Sequence, residues 1–244
     1  FRLYKLIGTT TLLGFGISKE FVKVYPQVTP DEQFTGDIDF WNGYFFYQRN
    51  SLDLKSFPRK GSFIDLQLGV VFDQSTNFLY TSSSGSISSD SLHLPFHPYQ
   101  QLKLKIGKYI PLGRRWTIIT QFNNGINFNY KSNYFNFYSV GGINDFIRNQ
   151  VTFVGITENQ IMTSSITSLQ AGVQYEPITN LVATFRANVG YYDIIEKEPS
   201  NWSLLSGYAL SAGYRSPIGP IEISAMYSDQ SKTVVGYVNV GFTF

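Results

Sequence analysis

The sequence predicts an all-β chain: a transmembrane, antiparallel, up-and-down β-barrel domain spanning residues 1–244. Three observations predict it. Apolar residues recur at every second position along nearly the whole chain, the signature of strands, and no helical period survives over a window of about 11 residues. Most alternating segments are 10–13 residues long. That exceeds the about 5–6 residues of a soluble sandwich strand and matches the about 9–11 of a tilted membrane strand. The face opposite the apolar one holds Gly, Ser, Thr, Asn and Gln with scattered charges (Asp65, Lys103, Lys105, Arg186 and Glu222). Such a face suits a wet lumen, with the apolar face turned to lipid.

The elements follow in order. Residues 2–17 carry Leu12, Leu13, Phe15 and Ile17 and fit one strand or two short ones. Strands at 35–48, 62–73, 100–109 and 116–129 come next, then 164–175, 181–192, 205–215, 221–228 and 234–244, ten in all. In 181–192, Leu181, Ala183, Phe185, Ala187, Val189 and Tyr191 oppose Thr184, Arg186, Asn188 and Gly190. The last segment alternates most cleanly: Val234, Gly236, Val238, Val240, Phe242 and Phe244 form one face. Aromatic residues gather near strand ends (Trp116, Phe128, Tyr175, Tyr191, Tyr192, Tyr214 and Tyr227), where a membrane girdle belongs.

Connections alternate in length. Residues 110–114, 176–180 and 216–220 make short turns, with a slightly longer one at 56–61. The other side has stretches near 18–34, 74–99, 130–163 and 193–204, and one short tip at 229–232. Short periplasmic turns and long external loops are the outer-membrane pattern. The Ser/Gly-rich run Thr81–Ser91 reads as a mobile loop tip.

Composition narrows the function. Charged residues are 15% of the chain and aromatic residues 17%, with mean hydropathy −0.10. Disordered chains carry more charge and fewer rings. The longest apolar run, Tyr44–Tyr47, is four residues, against about 20 for a spanning helix. A net charge of +2 offers no basic field for nucleic acid. Without cysteine there are no disulfides or thiolate sites. The chain opens Phe1-Arg2-Leu3, as a processed product or a piece of something longer would. No Gly-x-Ser-x-Gly nucleophile motif occurs. His93 and His97 have zinc-like spacing, but Leu94-Pro95-Phe96 between them forbids the helix that spacing needs, so they read as loop residues. No catalytic residue, metal or cofactor is expected.

The last residues resemble the C-terminal signal of bacterial outer-membrane barrels: Phe244 at the end, with Phe242, Val240 and Val238 at alternate places before it. An insertion machine reads such a strand by pairing with its edge. Gly207–Phe244, with Tyr-Arg-Ser-Pro-Ile-Gly-Pro-Ile-Glu-Ile-Ser at 214–224, resembles the end of BamA/TamA-type barrels, or bacterial surface antigen domains. Asn50-Ser51-Leu52-Asp53 with Phe57-Pro58-Arg59-Lys60-Gly61 is similar to that superfamily's N-x-L-D…F-P-x-x-G turn. The likeness is greatest to barrels fused to patatin-like phospholipases from Bacteroidetes. It implies a bacterial outer-membrane location and about 16 strands, ten here and six upstream, with any periplasmic or patatin module also upstream. It implies contact with outer-membrane lipid and lipopolysaccharide, and with the barrel assembly machinery during insertion. A homo-oligomer or a larger membrane complex is compatible with it. The roles it allows are membrane anchor or translocation domain, assembly or secretion component, or a passive ten-stranded pore.

The resemblance also places a long external loop, folded into the lumen, before the fifth strand from the end. Residues 130–163 stand there and carry Gly141-Gly142-Ile143-Asn144-Asp145-Phe146-Ile147-Arg148. The family motif continues with Gly and an aromatic; this chain has Asn149 and Gln150. Arg148 is either a solvated loop charge or a lumen anchor, with Glu222 on the polar face of a late strand as its expected partner. Gly172, Gly190, Gly207 and Gly213 on that face either make room for the loop or relieve strand crowding.

Overall fold

The computed structural model describes residues 1–24, 32–82, 85–88, 96–132 and 136–241. Its strands are β1 (Arg2–Ile7), β2 (Thr11–Val24), β3 (Glu32–Asn50), β4 (Gly61–Ser82), β5 (Gly85–Ser88), β6 (Tyr99–Leu112), β7 (Trp116–Asn127), β8 (Tyr138–Val140), β9 (Gln150–Val151), β10 (Ile161–Thr163), β11 (Ser165–Ile178), β12 (Leu181–Tyr192), β13 (Ser203–Ser216), β14 (Gly219–Ser228) and β15 (Val234–Val240). The main sheet has twelve strands. Eleven form one path, β1-β2-β3-β4-β6-β7-β11-β12-β13-β14-β15, and β5 pairs with β4 off it. Every neighbour on the path is antiparallel. Among the described residues β1 and β15 each pair on one side alone, so the sheet does not close.

The polarity is inside-out, as alternation requires of a wall with lipid outside. Phe185, Leu210 and Val240 are 48%, 64% and 65% exposed, whereas Thr184, Asn188 and Ser211 are 2%, 4% and 3% exposed. Burying the polar row and exposing the apolar one is unfavourable in water and favourable in hydrocarbon. The rim aromatics follow: Trp116 stacks on Tyr175 with centroids 4.3 Å apart, and Tyr191 leans on Trp202 at 5.9 Å. Tyr192 departs from the expected girdle. One residue past Tyr191 it points inward, and it packs against the loop described below.

Three boundaries differ from the sequence reading. Of the two readings left open for 2–17, two strands holds, because Gly8 at φ +63° turns the chain between them, but the second runs past residue 17 to Val24. β3 and β4 run 19 and 22 residues, about twice what a membrane needs. Their register continues through an irregularity at Asp39/Trp41 out to Glu32 opposite Ser82, so the pair leaves the membrane as a ribbon. The same pairing overturns the loop tip expected at 81–91 over its described part: Thr81 and Ser82 close β4, and Gly85–Ser88 pair back onto it. His93, Phe242 and Phe244 lie outside the described residues, while Val240 lies on the lipid-side row of β15.

Candidate functional site: two inserts on the inner face of the wall

The chain between β7 and β11 doubles back over the inner face of the sheet. Its feet are tied by Asn127 N–H donating to the Ser164 carbonyl (2.8 Å) and Phe128 N–H to Gln100 (3.0 Å). Within it β8 pairs antiparallel with β10 and parallel with β9. This strap brings its own apolar core. Tyr138, Val140, Val151, Phe153 and Ile156 pack on Ile166 and Leu205 of the wall, which seats the strap on the inner face through an apolar cluster. Burying each such side chain contributes about 1.5–3 kcal/mol, enough to hold a long segment in place.

Gly141 and Gly142 stand where the strap crosses itself. Their φ values are +137° and +79°, a region costly for other residues. A Cβ on Gly141 would strike the Thr157 carbonyl, and one on Gly142 the Glu158 and Gln150 side chains. Gly142 N–H donates to Ile156 at 2.8 Å, and its carbonyl accepts from Phe153 at 3.1 Å.

Beyond this crossing the tip, residues 143–149, reaches three separated strands. Asp145 pairs with Lys105 on β6 at 2.5 Å. Phe146 stacks on Tyr237 of β15 with centroids 6.3 Å apart. Arg148 pairs through Nε with Glu20 on β2 at 2.5 Å and lies 5.3 Å over the Phe40 ring. Its Nη2 donates to Asn136 Oδ1. Asn136 in turn accepts from Asn149 (2.8 Å) and donates to the Tyr99 hydroxyl (2.5 Å). Asn42 donates to the same Glu20 at 3.2 Å.

Arg148 is therefore a lumen residue, but its partner is Glu20 and not Glu222. Glu222 sits opposite Gly213, close to the β13–β14 turn, and Arg186 of β12 holds it at 3.1 Å while also donating to Ser211. A strap entering from the long-loop side meets Glu20 first. The expected glycine notches divide in the same way. A Cβ on Gly207 would meet the Val154 carbonyl of the strap; those on Gly172 and Gly190 would meet only the adjoining strands.

Gln150 was not foreseen. Its Oε1 accepts from Phe146 N–H (2.7 Å) and Ile147 N–H (3.1 Å), and its Nε2 donates to Gly141 (2.8 Å) and Asn144 (2.9 Å). It staples the tip at the position where this chain departs from the family motif, and that departure was the only signal available.

The β3–β4 turn folds over the inner face at the opposite end of the sheet. Asp53 Oδ1 accepts from the backbone N–H groups of Arg59 (2.9 Å) and Lys60 (3.1 Å), which folds the turn inward. Phe57 is buried at φ +49°, a conformation costing about 1–3 kcal/mol for such a residue. Its ring fills the space above Gly213 that a Cβ would occupy. Arg215 lies 5.9 Å over that ring, donates to the Phe57 carbonyl at 2.9 Å and pairs with Glu176 at 2.7 Å. Gln174 donates to the Pro58 carbonyl at 3.3 Å. Between strap and turn remain polar cavities of about 330 and 290 Å³. Among the described residues no three His, Cys, Asp or Glu side chains converge as metal ligands do.

An inside-out antiparallel wall, alternating short turns and long loops, and a strap folded into the lumen before the last five strands together define a particular kind of membrane barrel. No curated protein matches this sequence. A family model described as the OMP85 superfamily matches residues 3–244, so the chain belongs to the OMP85 superfamily, the outer-membrane β-barrels that include the BamA/TamA type.

Proposed function

We propose that the chain is the membrane domain of a patatin-like outer-membrane protein, anchoring an upstream module and holding its own lumen shut. The observation that supports this reading is the packing of two inserts on the inner face of the wall, the strap at one end and the β3–β4 turn at the other. A passive pore needs neither insert. Upstream strands are part of the reading: among the described residues β1 and β15 present unpaired backbone edges, at several kcal/mol for each polar group left unsatisfied in hydrocarbon. The resemblance of the 50–61 turn and of 207–244 to patatin-fused barrels supplies the upstream module.

The test uses the full-length protein in outer-membrane fractions. A fluorophosphonate serine-hydrolase probe should label the same band that an antibody to this domain detects. An unlabelled band preceded by repeated small α/β modules would replace the anchor with an assembly or secretion component. That second reading draws on one observation: the strap tip stacks Phe146 on Tyr237 of β15, the last strand of the path, where a seam that opens would need control.

A further inference from the structure

The short-turn rim carries a surface that the lumen does not use. Arg114 and Arg115 form the β6–β7 turn. Arg59 leans across from the β3–β4 turn, its Nη2 donating to the Gly113 carbonyl at 3.2 Å. The three arginines line an open cleft of about 520 Å³ with Glu176 and Ile178. The carboxylates nearby are already engaged. Glu176 pairs with Arg215 at 2.7 Å and accepts from Asn180 N–H at 3.0 Å. Asp53 is held by the backbone of its own turn. Among the described residues no carboxylate pairs with Arg59, Lys60, Arg114 or Arg115.

The long-loop rim differs. There Lys19 pairs with Asp39 at 3.0 Å and Lys197 with Asp193 at 2.8 Å. The hydrogen bond to Asp193 holds the Lys197 ammonium above its ordinary range.

Directly above the arginines, on the lipid face, Trp116 and Tyr175 stand opposite each other in register and stack. Leu112 stands level with Trp116, and Ile110 and Val173 carry the exposed apolar wall one step further, as far as Lys108 on the same row of β6. Cations, then an aromatic pair, then aliphatic wall is the order in which a phospholipid presents phosphate, ester region and chains. We infer that this rim binds a periplasmic-leaflet phospholipid with an anionic phosphate headgroup. Arg114 and Arg115 take the phosphate oxygens, since a guanidinium matches phosphate geometry in bidentate fashion. Arg59 closes the cleft from the side, and the acyl chains lie on Ile110 and Val173. The inference rests on the membrane placement of the wall and stands whether or not a patatin module lies upstream.

Native mass spectrometry of the full-length protein in neutral detergent tests it, with phosphatidylglycerol and phosphatidylcholine of identical chains supplied in competition. The expected result is a preference for phosphatidylglycerol that falls about fivefold for each of Arg114→Gln and Arg115→Gln, with Lys19→Gln unchanged. A heat-modifiable gel shift identifies folded variants; should Arg115→Gln not fold, Arg114→Gln alone, at an exposed turn position, gives the same reading. A preference kept within about twofold in a folded variant overturns the site. Displacement of the lipid by millimolar inorganic phosphate also overturns it, by assigning the cleft to a free anion.

Discussion

The strap and the β3–β4 turn are held on the same inner face by different physics. The strap is long enough to form its own small sheet and apolar cluster, so its charged contacts refine a position that packing has already set. The turn is too short for a core. It depends on one inward aromatic in a strained backbone, a glycine notch, and an arginine that serves ring, carbonyl and carboxylate together. A long insert can be held by burial, whereas a short one needs a few strong, well-aimed interactions.

The two notches offer the sharpest contrast. In Gly207→Ala the new methyl meets the Val154 backbone carbonyl, which cannot rotate aside. The strap should be forced off the wall at a cost of about 3 kcal/mol or more, seen as a lower Tm and as protease cleavage within 130–163. Gly213→Ala meets only the Phe57 ring and should cost about 1 kcal/mol. Equal losses would mean that the strap is no more firmly seated than the turn.

Arg215→Met comes next. It removes a largely buried pair and two further contacts of the turn, so a loss of about 2 kcal/mol is expected, with raised ion conductance in planar bilayers as the periplasmic mouth loosens. Conductance equal to the unaltered protein would show that the turn does not gate that mouth.

Arg148→Gln should have a smaller effect, about 1 kcal/mol, because the pair with Glu20 is partly exposed and screened. The charge swap Arg148→Glu with Glu20→Arg should recover part of that stability in chemical denaturation, and Arg148→Glu with Glu222→Arg should recover none. Rescue by the second pair would return Glu222 as the anchor. Phe57→Gly should also cost about 1 kcal/mol, because relief of the strained φ offsets much of the lost ring packing; a drop larger than that of Arg215→Met would place the ring, not the arginine, as the holder of the turn.

The wall was legible because alternation is a local property of the sequence. Phe185 against Thr184, or Leu210 against Ser211, reveals the lipid side without knowledge of any partner strand. Gly141 and Gly142 were expected at the contact between loop and lumen wall; both instead stand where the strap crosses itself, against Thr157, Glu158 and Gln150, a pairing set by the strap's own fold. The partner of Arg148 was not legible. Glu20 is 128 residues away in sequence, and the choice between it and Glu222 depends on which end of the lumen the strap enters and on Arg186 having already taken one of them. Phe57 shows the same limit: the turn motif was visible, but its inward aim depends on Gly213 and Arg215, which are not its sequence neighbours. The ribbon formed by β3 and β4 was underestimated because Gln74–Ser82 is polar enough to read as loop, and only pairing with β3 makes it strand.

The number of strands in the wall has one more consequence. Eleven ribbons that reverse direction at each step begin and end pointing the same way, so β1 and β15 laid side by side would form a parallel seam, with slanted and slightly weaker bonding. Parity therefore forbids a ring of uniform antiparallel pairing from these eleven alone. Any odd complement of further ribbons removes the mismatch, and five would bring the tally to the about 16 that the resemblance implies.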